Sequence, residues 1–117
     1  MAKKILVVDD EPDIRDYLCS YLEDEGFATM EAEDGHVAME KVVGEAPDLI
    51  LLDLQMPEET GTGFYRKLHH KKELKDIPVI VISGMAGRDI AVSKSVPVFE
   101  KPIDKEALLE SIHQILG

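Results

Sequence analysis

The sequence predicts an α/β protein built on an open, doubly wound, five-stranded parallel sheet. Three observations carry that expectation. The runs ILVV (5–8), LILL (49–52) and VIVI (79–82) are unbroken, apolar and of strand length; strands without alternation are buried on both faces, as in a parallel sheet covered by helices. Helical patterns lie between the strand-like runs, and the resulting βαβαβαβαβα order implies right-handed crossovers. A chain of 117 residues, 44% apolar and 32% charged, has the size and balance of one globular domain around a single core, here 1–117.

Each element has its own signal. After the first strand, Pro12 is a favourable first helical residue, and Ile14, Tyr17, Leu18, Tyr21 and Leu22 recur at helical spacing up to Gly26. FATMEAE (27–33) alternates and reads as a strand near one edge. GHVAMEKVVGEAP (35–47) reads as a helix stopped by Gly44 and Pro47. The third strand, 49–52, leads to the helical pattern GFYRKLHHKKEL (63–74), with Gly61 serving the turn into it and Pro78 beyond it. His69 and His70 fall in its basic end and read as solvated. After the fourth strand only GMAGRDIAVSKS (84–95) remains before the next, enough for about two helical turns, so a shortened fourth helix is expected. VPVF (96–99) contains Pro97 and suits the other edge. DKEALLESIHQILG (104–117) closes the chain as a helix, with Asp104 as N-cap and Leu108, Ile112 and Ile115 on one stripe.

Charge and composition exclude several roles. A net charge of −11 repels phosphates and anionic membrane surfaces, which argues against direct nucleic-acid or membrane binding. No apolar stretch approaches the ~20 residues of a membrane span, and the N-terminal apolar run is too short for a signal-peptide core. The single cysteine, Cys19, permits no internal disulfide and reads as a small, semi-buried helix residue in a reducing, cytoplasmic compartment.

The ends of the apolar strands carry the chemistry. The first meets Asp9 and Asp10, the third Asp53, the fourth Ser83, and the fifth is followed by Glu100 and Lys101. In a parallel sheet all these ends lie on the carboxyl edge, where open α/β sheets bind ligands. Three carboxylates and one lysine leave a net charge that suits a hard divalent cation such as Mg²⁺. An aspartate beside such a cation can act as a nucleophile toward phosphorus, with Lys101 and Ser83 placed to contact phosphoryl oxygens. Alone, Asp9 and Asp10 would read equally well as a helix cap, Ser83 as a strand end and Lys101 as a solvated loop residue. Their joint arrival at one sheet edge favours the site.

The segments ILVVDDEPDIR, PDLILLDLQMPEETG, IPVIVISG and FEKPI resemble the receiver domain of two-component response regulators, over essentially the whole chain. The resemblance implies a flavodoxin-like strand order 2-1-3-4-5 and Asp53 as phosphoacceptor. It implies Mg²⁺, or Mn²⁺ in its place, held by Asp9, Asp10, Asp53 and the backbone carbonyl of Gln55, with Asp10 the more direct ligand. It also implies Ser83 as switch hydroxyl and Lys101 as phosphate-binding lysine. The implied partners are a histidine kinase or histidine phosphotransfer protein, a downstream protein target or output domain, and a second copy of the chain on phosphorylation. Such a domain is not a turnover enzyme, although it assists its own phosphorylation and dephosphorylation. Val98 stands where the family commonly has Tyr or Phe, so the switch is expected in the backbone of 84–95 rather than in an aromatic flip.

Two other readings stay open at this level. A haloacid-dehalogenase-like phosphatase also uses an aspartate nucleophile and Mg²⁺, but takes its nucleophile from an Asp-x-Asp motif after the first strand, where this chain has adjacent aspartates. A pseudo-receiver would bind its partner without being phosphorylated, against which the intact acidic set argues.

Overall fold

The computed structural model describes residues 2–53, 60–83, 98–100 and 103–116. Their elements are β1 (Lys4–Val8), α1 (Pro12–Asp24), β2 (Ala28–Ala32), α2 (Gly35–Glu45), β3 (Leu49–Asp53), α3 (Thr60–His70), β4 (Val79–Ser83), β5 (Val98–Glu100) and α4 (Lys105–Leu116). The strands form one sheet in the order β2-β1-β3-β4-β5, and every pairing is parallel. The two segments read as edge strands are the edges. The shortened helix expected between Ser83 and Val96 lies outside the described residues; α4 is the C-terminal helix.

The unbroken apolar runs fill both faces of the sheet, as their lack of alternation predicts. Leu6, Val8, Ile50, Leu52, Val79 and Val81 pack on one side with Ala38 and Val42 of α2 and Phe64 and Leu68 of α3. Ile5, Val7, Leu49, Leu51, Ile80 and Ile82 pack on the other with Leu18, Cys19 and Leu22 of α1 and Leu108 and Ile112 of α4. Successive strand residues therefore feed opposite layers, the period-two geometry of a strand.

Local chemistry sets the boundaries. Pro12 opens α1 in its first turn, and Gly26 ends it with φ +97°, a conformation that costs a glycine little. Asp34 caps α2 by accepting a hydrogen bond from the Val37 N–H at 2.8 Å. The expected Asp104 cap is present: its Oδ1 accepts from the N–H groups of Glu106 and Ala107, each at 3.1 Å.

Four details differ from the sequence reading. Tyr17 is not a core residue but 49% exposed, and Cys19 takes the buried position beside Leu18. Gly44 lies within α2, and the left-handed turn that ends the helix falls on Ala46, with φ 46°; Pro47 cannot continue the helix, so the chain turns one residue before it. Gly61 lies within α3, which starts at Thr60 and stops at His70, short of Leu74. Beyond it the chain winds through turns held by bonds such as Leu74 N–H to the Lys71 carbonyl at 3.0 Å. Those turns let Leu74 and Ile77 pack against the α2–α3 layer, which a straight helix carrying four consecutive basic or imidazole side chains would not do. Finally, Glu100 belongs to β5, paired with Ser83, rather than following the strand.

Candidate metal and phosphoryl site

The register of the central strands assembles the site. Val8 of β1 lies beside Leu52 of β3, so the next residue on each strand, Asp9 and Asp53, emerges side by side at the carboxyl edge. Asp53 still pairs with Ile82 of β4, and Ser83 closes that strand one position further on. The backbone of Asp9 is tied to the opposite neighbour, its N–H donating to the Ala32 carbonyl of β2 at 3.1 Å.

Asp9 and Asp53 are buried, with 1% and 2% exposure, while Asp10 faces solvent. One carboxylate oxygen from each of the three lies within 4.8 Å of the others. Two full negative charges at that separation repel by about 3 kcal/mol at an effective dielectric near 20. The donor set fits a hard cation. Mg²⁺ binds oxygens at about 2.1 Å, so direct ligands lie no more than about 4.2 Å apart. Small side-chain rotations would bring these oxygens into range, and a retained water would span any remaining gap. Among the described residues this is the one group of three or more acidic, histidine or cysteine side chains so arranged.

The loop that presents Asp10 is shaped by its neighbours. Asp9 Oδ1 accepts from the Glu11 N–H at 2.9 Å, folding the chain back as it enters α1. Arg15, one turn into α1, donates from a terminal nitrogen to the Asp9 carbonyl at 2.6 Å. Its Nε–H donates to Glu31 of β2 at 3.1 Å. Sequence reasoning missed this pair. Its available signal was an arginine one helical turn beyond an acidic pair, but nothing local names Glu31 as the partner. Gln55 and Lys101 lie outside the described residues. Ser83 is placed by its backbone at the same edge.

This arrangement has known counterparts. The family described as the response regulator receiver domain matches residues 5–113. The chain belongs to that family. This receiver domain is 33% identical to protein Rrf1 of Nitratidesulfovibrio vulgaris, covering all of the chain and 85% of that protein. It is 42% identical over 84 residues to the phosphate regulon transcriptional regulatory protein PhoB of Escherichia coli, but that match covers 72% of the chain and only 37% of PhoB. Among solved structures, the receiver superposes on the chemotaxis protein CheY4 of Vibrio cholerae with TM-score 0.85 and 25% identity, covering 98% of this chain and 99% of that one. A CheY-like receiver domain from Methanospirillum hungatei gives TM-score 0.85 at 28% identity, covering 97% and 93%. The chain is thus a signalling module of two-component systems.

No helix among the described residues is long and apolar enough to cross a membrane.

Proposed function

We propose that Asp53 accepts a phosphoryl group from a phosphohistidine of a histidine kinase or histidine phosphotransfer protein, in a reaction that requires a divalent cation. The phosphorylated state then alters docking to a downstream target or output domain, or to a second copy of the chain. The observation that carries this reading is the convergence of Asp9, Asp10 and Asp53 at the sheet edge, with the acceptor on the most central strand.

In the transfer, an Asp53 carboxylate oxygen attacks phosphorus as the bond from phosphorus to the donor imidazole breaks. The bonding pair stays on that nitrogen, which takes a proton from solvent. Asp10 and Asp53 would bind Mg²⁺ directly, Asp9 through water, and the Gln55 carbonyl would complete the protein ligands; Mn²⁺ suits the same oxygens. When bound, the cation supplies positive charge to the phosphoryl oxygens and offsets the repulsion among the carboxylates. Lys101 and the Ser83 hydroxyl contact the remaining phosphoryl oxygens. Burial at the end of β3 limits the freedom of the Asp53 carboxylate, which favours a defined approach to phosphorus. The same residues assist hydrolysis of the aspartyl phosphate, so the domain times its own signal without acting as a turnover enzyme. A reducing cytoplasm and protein partners, rather than nucleic acid, suit its charge and its single buried thiol.

Incubation with acetyl phosphate and Mg²⁺ tests this. Intact-mass spectrometry is expected to show one acid-labile phosphoryl group, absent from Asp53→Asn. Equal labelling of that variant removes Asp53 from the role. No labelling of the parent supports a pseudo-receiver, and sustained release of phosphate from simple esters supports a phosphatase.

A further inference from the structure

The guanidinium of Arg15 joins three elements. It donates to the Asp9 main-chain carbonyl at 2.6 Å and to the Glu31 carboxylate at 3.1 Å, so α1 and the end of β1 are cross-tied to β2. The Arg15 side chain is only 15% exposed. A charge-assisted bond of that length is among the stronger kinds, and the fork of an arginine can serve two acceptors at once where a lysine offers a single point charge.

The location gives the contact its consequence. Asp9 is the last residue before the chain leaves the sheet, and Asp10 follows it, exposed and next to the acidic cluster. The Asp9 N–H is fixed by Ala32 and its side chain by the Glu11 N–H; Arg15 fixes the remaining group, the carbonyl of the peptide bond that carries Asp10. We propose that Arg15, anchored by Glu31, is a positioning residue that sets the affinity of the acidic site for Mg²⁺ by holding the Asp9–Asp10 peptide in place. The inference rests on the phosphoacceptor reading above and adds a residue pair to it. Glu31 balances the arginine charge, so the pair acts on the cation mainly through geometry. Groups that orient metal ligands typically change affinity ten- to a hundred-fold when removed.

The test removes the pair without changing net charge. Arg15→Met combined with Glu31→Gln is expected to raise the Mg²⁺ dissociation constant about tenfold in titration calorimetry. In Mg²⁺-free protein, the amides of Asp10 and Glu11 are expected to exchange faster with deuterium than in the parent. Arg15→Lys, which keeps the charge but not the fork, is expected to weaken binding several-fold, and it carries the test if the double variant does not fold. Asp34→Ala, a destabilising change at the α2 cap, is expected to leave Mg²⁺ affinity unchanged and separates positioning from general loss of stability. Parent-like affinity in both Arg15 variants overturns this inference alone. Absence of Mg²⁺ binding by the parent overturns the metal reading of the site and this inference with it.

Discussion

Asp9 and Asp53 give up nearly all contact with water while remaining acids within reach of each other and of Asp10. A cation that binds only the folded chain should therefore raise its stability by mass action. Millimolar Mg²⁺ is expected to raise the melting temperature by several degrees, and Asp10→Ala to remove most of that rise in a thermal scan. Cys19 makes a second residue-scale case. Burial pushes its thiol up from 9.0 to about 11; a hydrogen bond with Thr29 opposes the shift, and Glu31, Glu23 and Asp16 add to it. The folded protein thus resists deprotonation that the unfolded chain allows. Stability from this source is complete below pH 9 and is lost as pH rises toward 11. Urea midpoints for Cys19→Ala are expected to fall less steeply across that window than those of the parent. At this scale the sequence reading depended on locality. Asp9, Asp10 and Asp53 were legible because each ends an apolar run. The Arg15–Glu31 pair was not, because it joins a helix to a strand through a register that no local pattern encodes. Tyr17 falls on the helical repeat of α1 yet is exposed, because helical spacing alone does not say where the buried stripe ends.

At the scale of elements, α2 shows how a short helix is bounded. Its N-terminus is closed by a side chain, and its C-terminus by a left-handed alanine. Replacing Asp34 with Ala is expected to cost about 1 kcal/mol in denaturant unfolding. Ala46→Gly is expected to move the opposite way, by about 0.5–1 kcal/mol, because a Cβ is strained at positive φ. A loss of stability in Ala46→Gly would show that backbone freedom in the unfolded state outweighs that strain. The strands and all four described helices were readable from apolar period and from punctuating and capping residues. The errors fell on glycines and on the end of α3. Gly44 read as a stop and Gly61 as part of the turn into α3, because glycine usually punctuates, yet both sit inside helices. The α3 end is set by Leu74 and Ile77 reaching the core, a tertiary demand that overrides the local helical pattern.

Across the whole molecule, the sheet divides the core into two layers that, among the described residues, share strands but no helices. Perturbations in opposite layers should then add. Val42→Ala beneath α2 and Ile112→Val beneath α4 are each expected to destabilise, the second by about 0.5–1.5 kcal/mol. Their double variant is expected to match the sum within about 0.5 kcal/mol; a larger discrepancy in urea unfolding would mean that strain crosses the sheet. The layering was legible from the unbroken apolar runs, since only a sheet covered on both faces buries them. The parallel register also means that no short peptide from this chain holds the acidic cluster in miniature, since Asp9 and Asp53 stand on separate strands. Asp9 and Asp53 become neighbours only when β1 and β3 have found each other, and such non-local parallel pairing is slow to form. A copy in which β1 and β3 are unpaired would therefore lack the acidic cluster as well as the fold. Cation binding at the sheet edge would then double as a report that these two strands have met.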